Sequence, residues 1–321
     1  MVRKLLAIVS LILCASAGAA DGLKVVVISD LNGSYGSVDY SSSVTRAVSR
    51  IVEMKPDLVI STGDMVAGQR KPHLSEREVR AMWAGFHQAV TDPLTAAQIP
   101  LAVTPGNHDG SAYGGFELER AIYGETWIAH QPDLDFVKGS NYPFSYAFDL
   151  GGVRFASVDV TTVGPLSGEQ MGWVSDIMSG TPERRVVFSH LPLWPFAVGR
   201  ETEIIGDPVF EALLSKLDVD LHLSGHHHAF YPGAVGDLGV ISQACLGSGK
   251  RALIGAESER FQAITLLEFS EDGHIEVSAF KAPDYSERVE ISGLPHTLET
   301  SHRRIERLDH VSLPHVTWKQ D

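Results

Sequence analysis

With 321 residues, 44% of them hydrophobic and 21% charged, the chain has the length for one large domain or two small ones and the make-up of a globular protein. A net charge of −14 argues against a polyanion-binding surface such as a nucleic-acid groove. It leaves an anionic substrate open, because bound divalent cations reverse the local field.

Residues 1–20 read as a secretory signal peptide: a basic start at Arg3 and Lys4, an apolar run over 5–13, and a small-residue cleavage region over 15–20. The mature protein is therefore expected to be secreted or periplasmic, with no transmembrane segment. Cleavage removes Cys14 and leaves Cys245 alone, so no intrachain disulfide is expected, and Cys245 between Ala244 and Leu246 reads as a small buried residue.

The β-branched run 23–28 predicts a buried strand ending at Asp30. A helix over 43–54, a strand over 58–60, a Ser75-capped helix over 75–90 and a strand over 99–103 follow. Glycine signals at 113–115 and 139–141 flank a short helix. Two runs joined by Gly151–Gly152, 146–150 and 153–158, predict a hairpin. Next come a helix over 167–178, a strand over 185–188, a helix over 207–216 and a strand over 219–223. A second hairpin pairs 264–269 with 274–280. Beyond Pro283 the chain turns polar, and 284–321 is expected as an extension packed on the surface of a domain spanning 21–283. Alternating strands and helices with polar residues at the strand ends predict an α/β fold that binds ligands at that edge.

Those ends carry the chemistry. Asp30, Asp64, Asn107, His190 and the pair His226/His228 each follow an apolar run. Two carboxylates, a carboxamide and three imidazoles exceed the needs of one tetrahedral metal and suit two ions sharing a carboxylate. The mixed oxygen and nitrogen set fits Mn, Fe or Zn better than Ca.

The series Asp30-Leu31-Asn32, Gly63-Asp64, Gly106-Asn107-His108-Asp109, Ser189-His190 and Gly225-His226-His227-His228 resembles the calcineurin-like metallophosphoesterases, over roughly residues 23–282. The resemblance implies a four-layer α/β/β/α sandwich of two mixed sheets flanked by helices. It also implies a dinuclear site at which a metal-bridging hydroxide hydrolyses phosphomonoesters or phosphodiesters. Carried over, Asp64 is the bridging ligand, Asp30 and His228 hold one divalent ion, and Asn107, His190 and His226 hold the other. His108 corresponds to the family's phosphate-contacting histidine, and Asp109 is expected to orient it through its ring N–H. Asn32 stands where the family has histidine, and is expected as an amide-oxygen ligand. Some purple acid phosphatases that lack this histidine use a tyrosine at the position held here by Ala67, so their substitution is not reproduced.

Other residues read more plainly. His222 is expected in the core or on a sheet face, and His227 facing solvent or in support of the ligands. Residues 247–250 form a turn rather than a phosphate loop, and Trp194 and Phe196 are packing residues. Lys250 or Arg251 is available to a substrate phosphate. Small-molecule, lipid or glycan phosphate esters are the substrates implied. The alternative class is a degenerate family member with a weakened metal site, acting as a binding or scaffold protein.

Overall fold

The computed structural model describes residues 22–319, so the expected signal peptide lies outside the described residues. Strand β1 (Leu23–Ile28) has a two-sided apolar pattern that places it inside a layered fold. Val25 and Val27 enter one hydrophobic cluster, and Val26 and Ile28 enter another on the opposite face. Helix α1 (Ser42–Met54) starts at Ser41, whose hydroxyl accepts from the Val44 N–H, and stops at Lys55 in the left-handed region. Strand β2 (Leu58–Ser61) and helix α2 (Glu76–Phe86) follow, the helix opened by a Ser75/Glu78 capping box. The helical path continues beyond the expected end through a π-helical turn (His87–Thr91) into α3 (Asp92–Ala96).

After β3 (Leu101–Val103) the expected short helix is a full α4 (Glu117–Ala129). Strand β4 (Asp135–Phe136) then precedes the expected hairpin of β5 (Tyr146–Leu150) and β6 (Val153–Ser157). Helix α5 (Gly168–Ile177), strand β7 (Arg184–Ser189), helix α6 (Pro208–Lys216) and strand β8 (Leu221–Ser224) follow as expected. A hairpin of β9 (Tyr231–Val235) and β10 (Leu238–Ser242) was not expected, because Pro232, Gly233 and Gly239 disguise its strands as turns. Strands β11 (Ala263–Phe269) and β12 (Ile275–Lys281) form the last expected hairpin.

The C-terminal extension is not a surface appendage. It supplies β13 (Glu287–Arg288), β14 (Thr297–Glu299), β15 (Arg304–Arg307) and β16 (Val316–Trp318). Strands β13 and β16 both pair with β12, and β15 pairs with β9. The polar, Pro-punctuated sequence hides isolated apolar anchors, Leu298, Ile305 and Leu308, which are buried in the main core.

Two mixed sheets result, ordered β13-β12-β11-β1-β2-β3 and β14-β15-β9-β10-β8-β7-β6-β5-β4, with β16 beside β12. Their facing sides share one core, where Phe155 meets Phe269 edge-on at 5.9 Å. The Tyr146 hydroxyl caps edge strand β3, accepting from the Val103 N–H and donating to the Val103 carbonyl. Helices α1, α2 and α4 cover the outer face of the first sheet, and Phe210 of α6 packs on His222 of the second. The parallel pairs β1–β2, β2–β3, β6–β7 and β7–β8 bring their C-terminal ends to one edge of the sandwich.

Candidate metal centre

Asp30 follows β1, Asp64 follows β2, Asn107 and His108 follow β3, His190 follows β7, and His226 and His228 follow β8. The backbone is forced into unusual shapes to aim them. Asp30, Asp64, His226 and His228 have φ of 51°, 54°, 63° and 51°, a left-handed conformation that costs energy in residues other than glycine. Close approach also dictates two glycines: a Cβ on Gly106 would collide with Asp64, and one on Gly225 with Ser29.

The outer nitrogens of the three imidazoles are all committed. His190 Nδ1–H donates to the Thr62 carbonyl (2.8 Å), His226 Nε2–H to the Glu203 carboxylate (2.7 Å) and His228 Nδ1–H to the Gly249 carbonyl (2.8 Å). The remaining ring nitrogens face inward onto other acceptors. His190 Nε2 lies 3.0 Å from Asn107 Oδ1, 3.2 Å from His226 Nδ1 and 3.3 Å from Asp64 Oδ2. His228 Nε2 lies 3.0 Å from Asp30 Oδ1, a buried oxygen without a hydrogen bond. Acceptors pointed at one another fit a cation between them, with each ring held by a carbonyl or carboxylate behind it. The donors divide into Asp64/His190/His226 and Asp30/Asp64/His228, so Asp64 belongs to both sets. Nitrogen and oxygen donors without thiolate suit Mn, Fe or Zn. The residues therefore fit two divalent ions.

The electrostatics agree. Burial opposes charge on His190, but the carboxylates of Asp64 and Asp30 outweigh it and push its pKa up to about 9. Burial likewise opposes ionised Asp64, and the surrounding imidazoles hold its pKa far below the usual carboxylate range. A field that favours a proton at this point also favours a metal ion, which takes the proton's place.

The supporting contacts fix each ligand. Asp30 Oδ2 accepts from the Ser29 hydroxyl (2.6 Å) and the His226 N–H (3.1 Å), and Asp64 Oδ1 accepts from the His108 N–H (2.8 Å). Gln69 Oε1 accepts from Asn107 Nδ2 (2.7 Å), which turns the Asn107 oxygen toward His190. Glu203, whose pKa is lowered to about 2 by its hydrogen bond to His226 and by Arg200, stands behind His226. Gln69 and Glu203 escaped the sequence reading because both lie in irregular loops with no spacing that ties them to the motifs.

The roles expected for Asp109 and for a solvent-facing His227 are corrected by this geometry. Asp109 does not hold the His108 ring; the Gly68 carbonyl accepts from His108 Nδ1 at 3.0 Å. The Asp109 side chain turns inward and accepts from the backbone N–H groups of Met65 (2.7 Å) and Gly106 (2.6 Å), tying the β2 and β3 loops together. Its pKa is pushed up by burial and by the charge of Asp64. Asn32 lies on the pocket wall, where its Oδ1 accepts from the Ser248 hydroxyl. His227 is buried rather than solvent-facing: its Nδ1 accepts from the N–H groups of Phe196 (3.0 Å) and Ala197 (3.3 Å). Burial lowers its pKa to about 3, so it stays neutral.

Other expectations are met. Phe196 and Trp194 are buried, with Trp194 Nε1 donating to Glu211. Cys245 is buried, and burial pushes its thiol pKa up to about 12. The turn after Cys245 folds over Asp30, whose carbonyl accepts from Leu246 and Gly247.

A cavity of about 370 Å³ opens over the ligands, lined also by Tyr35, His108, Arg200 and Arg251. His108 Nε2 lies 4.0 Å from Asp64 Oδ2, and the exposed Tyr35 ring leans on His108 at 5.3 Å.

Two mixed sheets with helices outside, and nitrogen and oxygen ligands gathered at one edge, define a sandwich of the metallophosphatase class. A model of the calcineurin-like phosphoesterase family matches residues 23–230, and the chain belongs to that family. It is 25% identical over 220 residues to purple acid phosphatase 23 of Arabidopsis thaliana, a match that covers 61% of this chain and 46% of that protein. The chain thus spans about half the length of this relative. The fold is also that of a dimetal phosphatase from Danio rerio, with TM-score 0.52, 15% identity, and 84% and 99% of the two chains covered. GAP50, the anchor in the inner membrane complex of Plasmodium, has TM-score 0.53 and 13% identity, with 92% and 90% covered. No helix among the described residues is long and apolar enough to cross a membrane.

Proposed function

We propose that the mature chain is an exported, metal-dependent phosphoesterase that cleaves phosphomonoester or phosphodiester bonds of small-molecule, lipid or glycan substrates. The observation that carries this reading is the convergence of three imidazoles, an amide oxygen and two carboxylates on two donor sets that share Asp64. Asp64, Asn107, His190 and His226 would hold one divalent ion; Asp30, Asp64 and His228 would hold the other, with Asn32 beside them. Such ions supply Lewis acidity toward phosphoryl oxygens and lower the pKa of an attacking water.

His108 is suited to the leaving group. With Nδ1–H held by the Gly68 carbonyl, its Nε2 faces the cavity over Asp64. As the imidazolium it carries at Nε2 the proton that the departing alkoxide takes when the P–O bond breaks. Gln69 and Glu203 keep Asn107 and His226 in position throughout. Export rests on the basic, apolar and small-residue succession of residues 1–20.

The test is hydrolysis of p-nitrophenyl phosphate and its bis ester by protein recovered from the exported fraction, its N-terminus read by mass spectrometry. The expected result is cleavage of at least one ester, lost on chelation and restored by Mn or a similar ion. Hydrolysis of neither ester by metal-loaded protein would overturn the enzymatic reading in favour of a binding or scaffold role. An intact N-terminus would overturn the processing step.

A further inference from the structure

The cavity carries positive charge that the ligand sets do not use. Arg251 and Arg200 both line it, next to His226, His228 and Ser248. Arg200 is paired with Glu203. Arg251 has no carboxylate partner among the described residues, and its only side-chain hydrogen bond runs from Nη1 to the His226 carbonyl at 2.8 Å. Comparable arginines elsewhere in the fold are neutralised: Arg154 by Asp149, Arg184 by Asp220 and Arg307 by Asp309. A half-buried guanidinium is rarely left unpaired. Here burial and the nearby Arg200 guanidinium oppose its charge more than the Asp30 and Glu203 carboxylates favour it.

The placement of Arg251 is also built. Its backbone N–H donates to the His228 carbonyl (3.3 Å), and the turn before it is tied to the Asp30 carbonyl through Leu246 and Gly247. The Ser248 hydroxyl anchors the same turn to Asn32. One guanidinium edge is spent on the His226 carbonyl, which leaves the rest of the group for the cavity. A guanidinium offers paired N–H donors in a fork that matches a carboxylate or phosphate.

We propose that Arg251, with Arg200 beside it, takes a second anionic group of the substrate, a carboxylate or phosphate separated from the ester that is cleaved. The substrates are then phosphoesters with a distal negative charge rather than esters of neutral alcohols. The inference rests on the phosphoesterase reading of the same site.

Equilibrium binding separates the two. The metal-loaded protein is titrated calorimetrically with alkylphosphonates of increasing length, and with the same chains ending in a carboxylate or a second phosphonate. At least one doubly anionic member is expected to bind about tenfold more tightly than its neutral counterpart. Arg251→Met should remove that difference, and Arg251→Lys should keep part of it. A purely structural Arg251, bracing the His226 carbonyl, would instead weaken neutral and charged members by the same factor and overturn the proposal. So would equal affinities in the unmodified protein. Binding of neither series would overturn the phosphoesterase reading itself, and the inference with it. The carboxylate and phosphonate arms identify which anion is preferred.

Discussion

Asp64 belongs to both donor sets through one carboxylate, so its charge would bear on two ions at once. Asp64→Asn is therefore expected to lower metal content more than any other single ligand change, as read by elemental analysis after dialysis. His108→Asn should leave metal content near that of the parent and slow turnover by roughly 10²–10⁴-fold, most for esters with poor leaving groups. Equal losses on good and poor leaving groups would remove His108 from proton transfer. Asn32 offers a further contrast, since its amide is held by Ser248 beside the Asp30/His228 set. Asn32→His should tighten the Asp30/Asp64/His228 site toward Zn or Fe, and unchanged affinity and stoichiometry would place Asn32 outside the metal's reach. At this scale the converging residues were legible because each is a hydrogen-bonding residue stranded at the end of an apolar run. Asp109 was placed in the right loop but given the wrong partner. Adjacency in sequence suggested His108, whereas the turn sends the two side chains to opposite sides.

Strand β8 links the core to the centre. His222 is buried on its helix-facing side, with Nε2 against the Ser189 hydroxyl at 2.9 Å and its ring against Phe210. Burial lowers its pKa from 6.5 to about 4, so the unfolded chain takes up the proton more readily than the folded one. The stability tied to neutral His222 is complete above pH 6.5 and is lost as pH falls toward 4, roughly 3 kcal/mol at 1.36 kcal/mol per pKa unit. His222→Gln should flatten the fall in unfolding free energy between pH 6.5 and 4, measured by denaturant titration. Parallel pH profiles would refute the assignment. Strand β1 and the Ser75-capped start of α2 were read at their true positions because a clear period or a cap marks them. The β9–β10 hairpin was missed because its glycines make room for packing rather than for a turn: a Cβ on Gly233 would press on Ile305, and one on Gly239 on Leu221.

Residues 284–319 decide how both sheets are completed. Strands β13 and β16 extend the first sheet, and β14 and β15 extend the second. Arg303 lies over Trp194 at 4.9 Å and pairs with Glu211, so the extension also reaches the loop that follows His190. Ile305→Ala, at a fully buried position, is expected to cost about 2–5 kcal/mol of stability in chemical denaturation. A change within about 0.5 kcal/mol would mean that the extension is docked without being needed. This closure was not legible in sequence. Strands of two to four residues carry too few alternations to register as a period, and two of the pairings, β15 with β9 and β16 with β12, join segments far apart in the chain.

Whether two ions share the Asp64 carboxylate is read by metal titration of the apo protein by calorimetry, with stoichiometry checked by elemental analysis. Two divalent ions per chain are expected in the parent protein, with impaired binding at both sites in Asp64→Asn. Full retention of two tightly bound ions by Asp64→Asn, or no specific binding by the parent, would contradict that sharing.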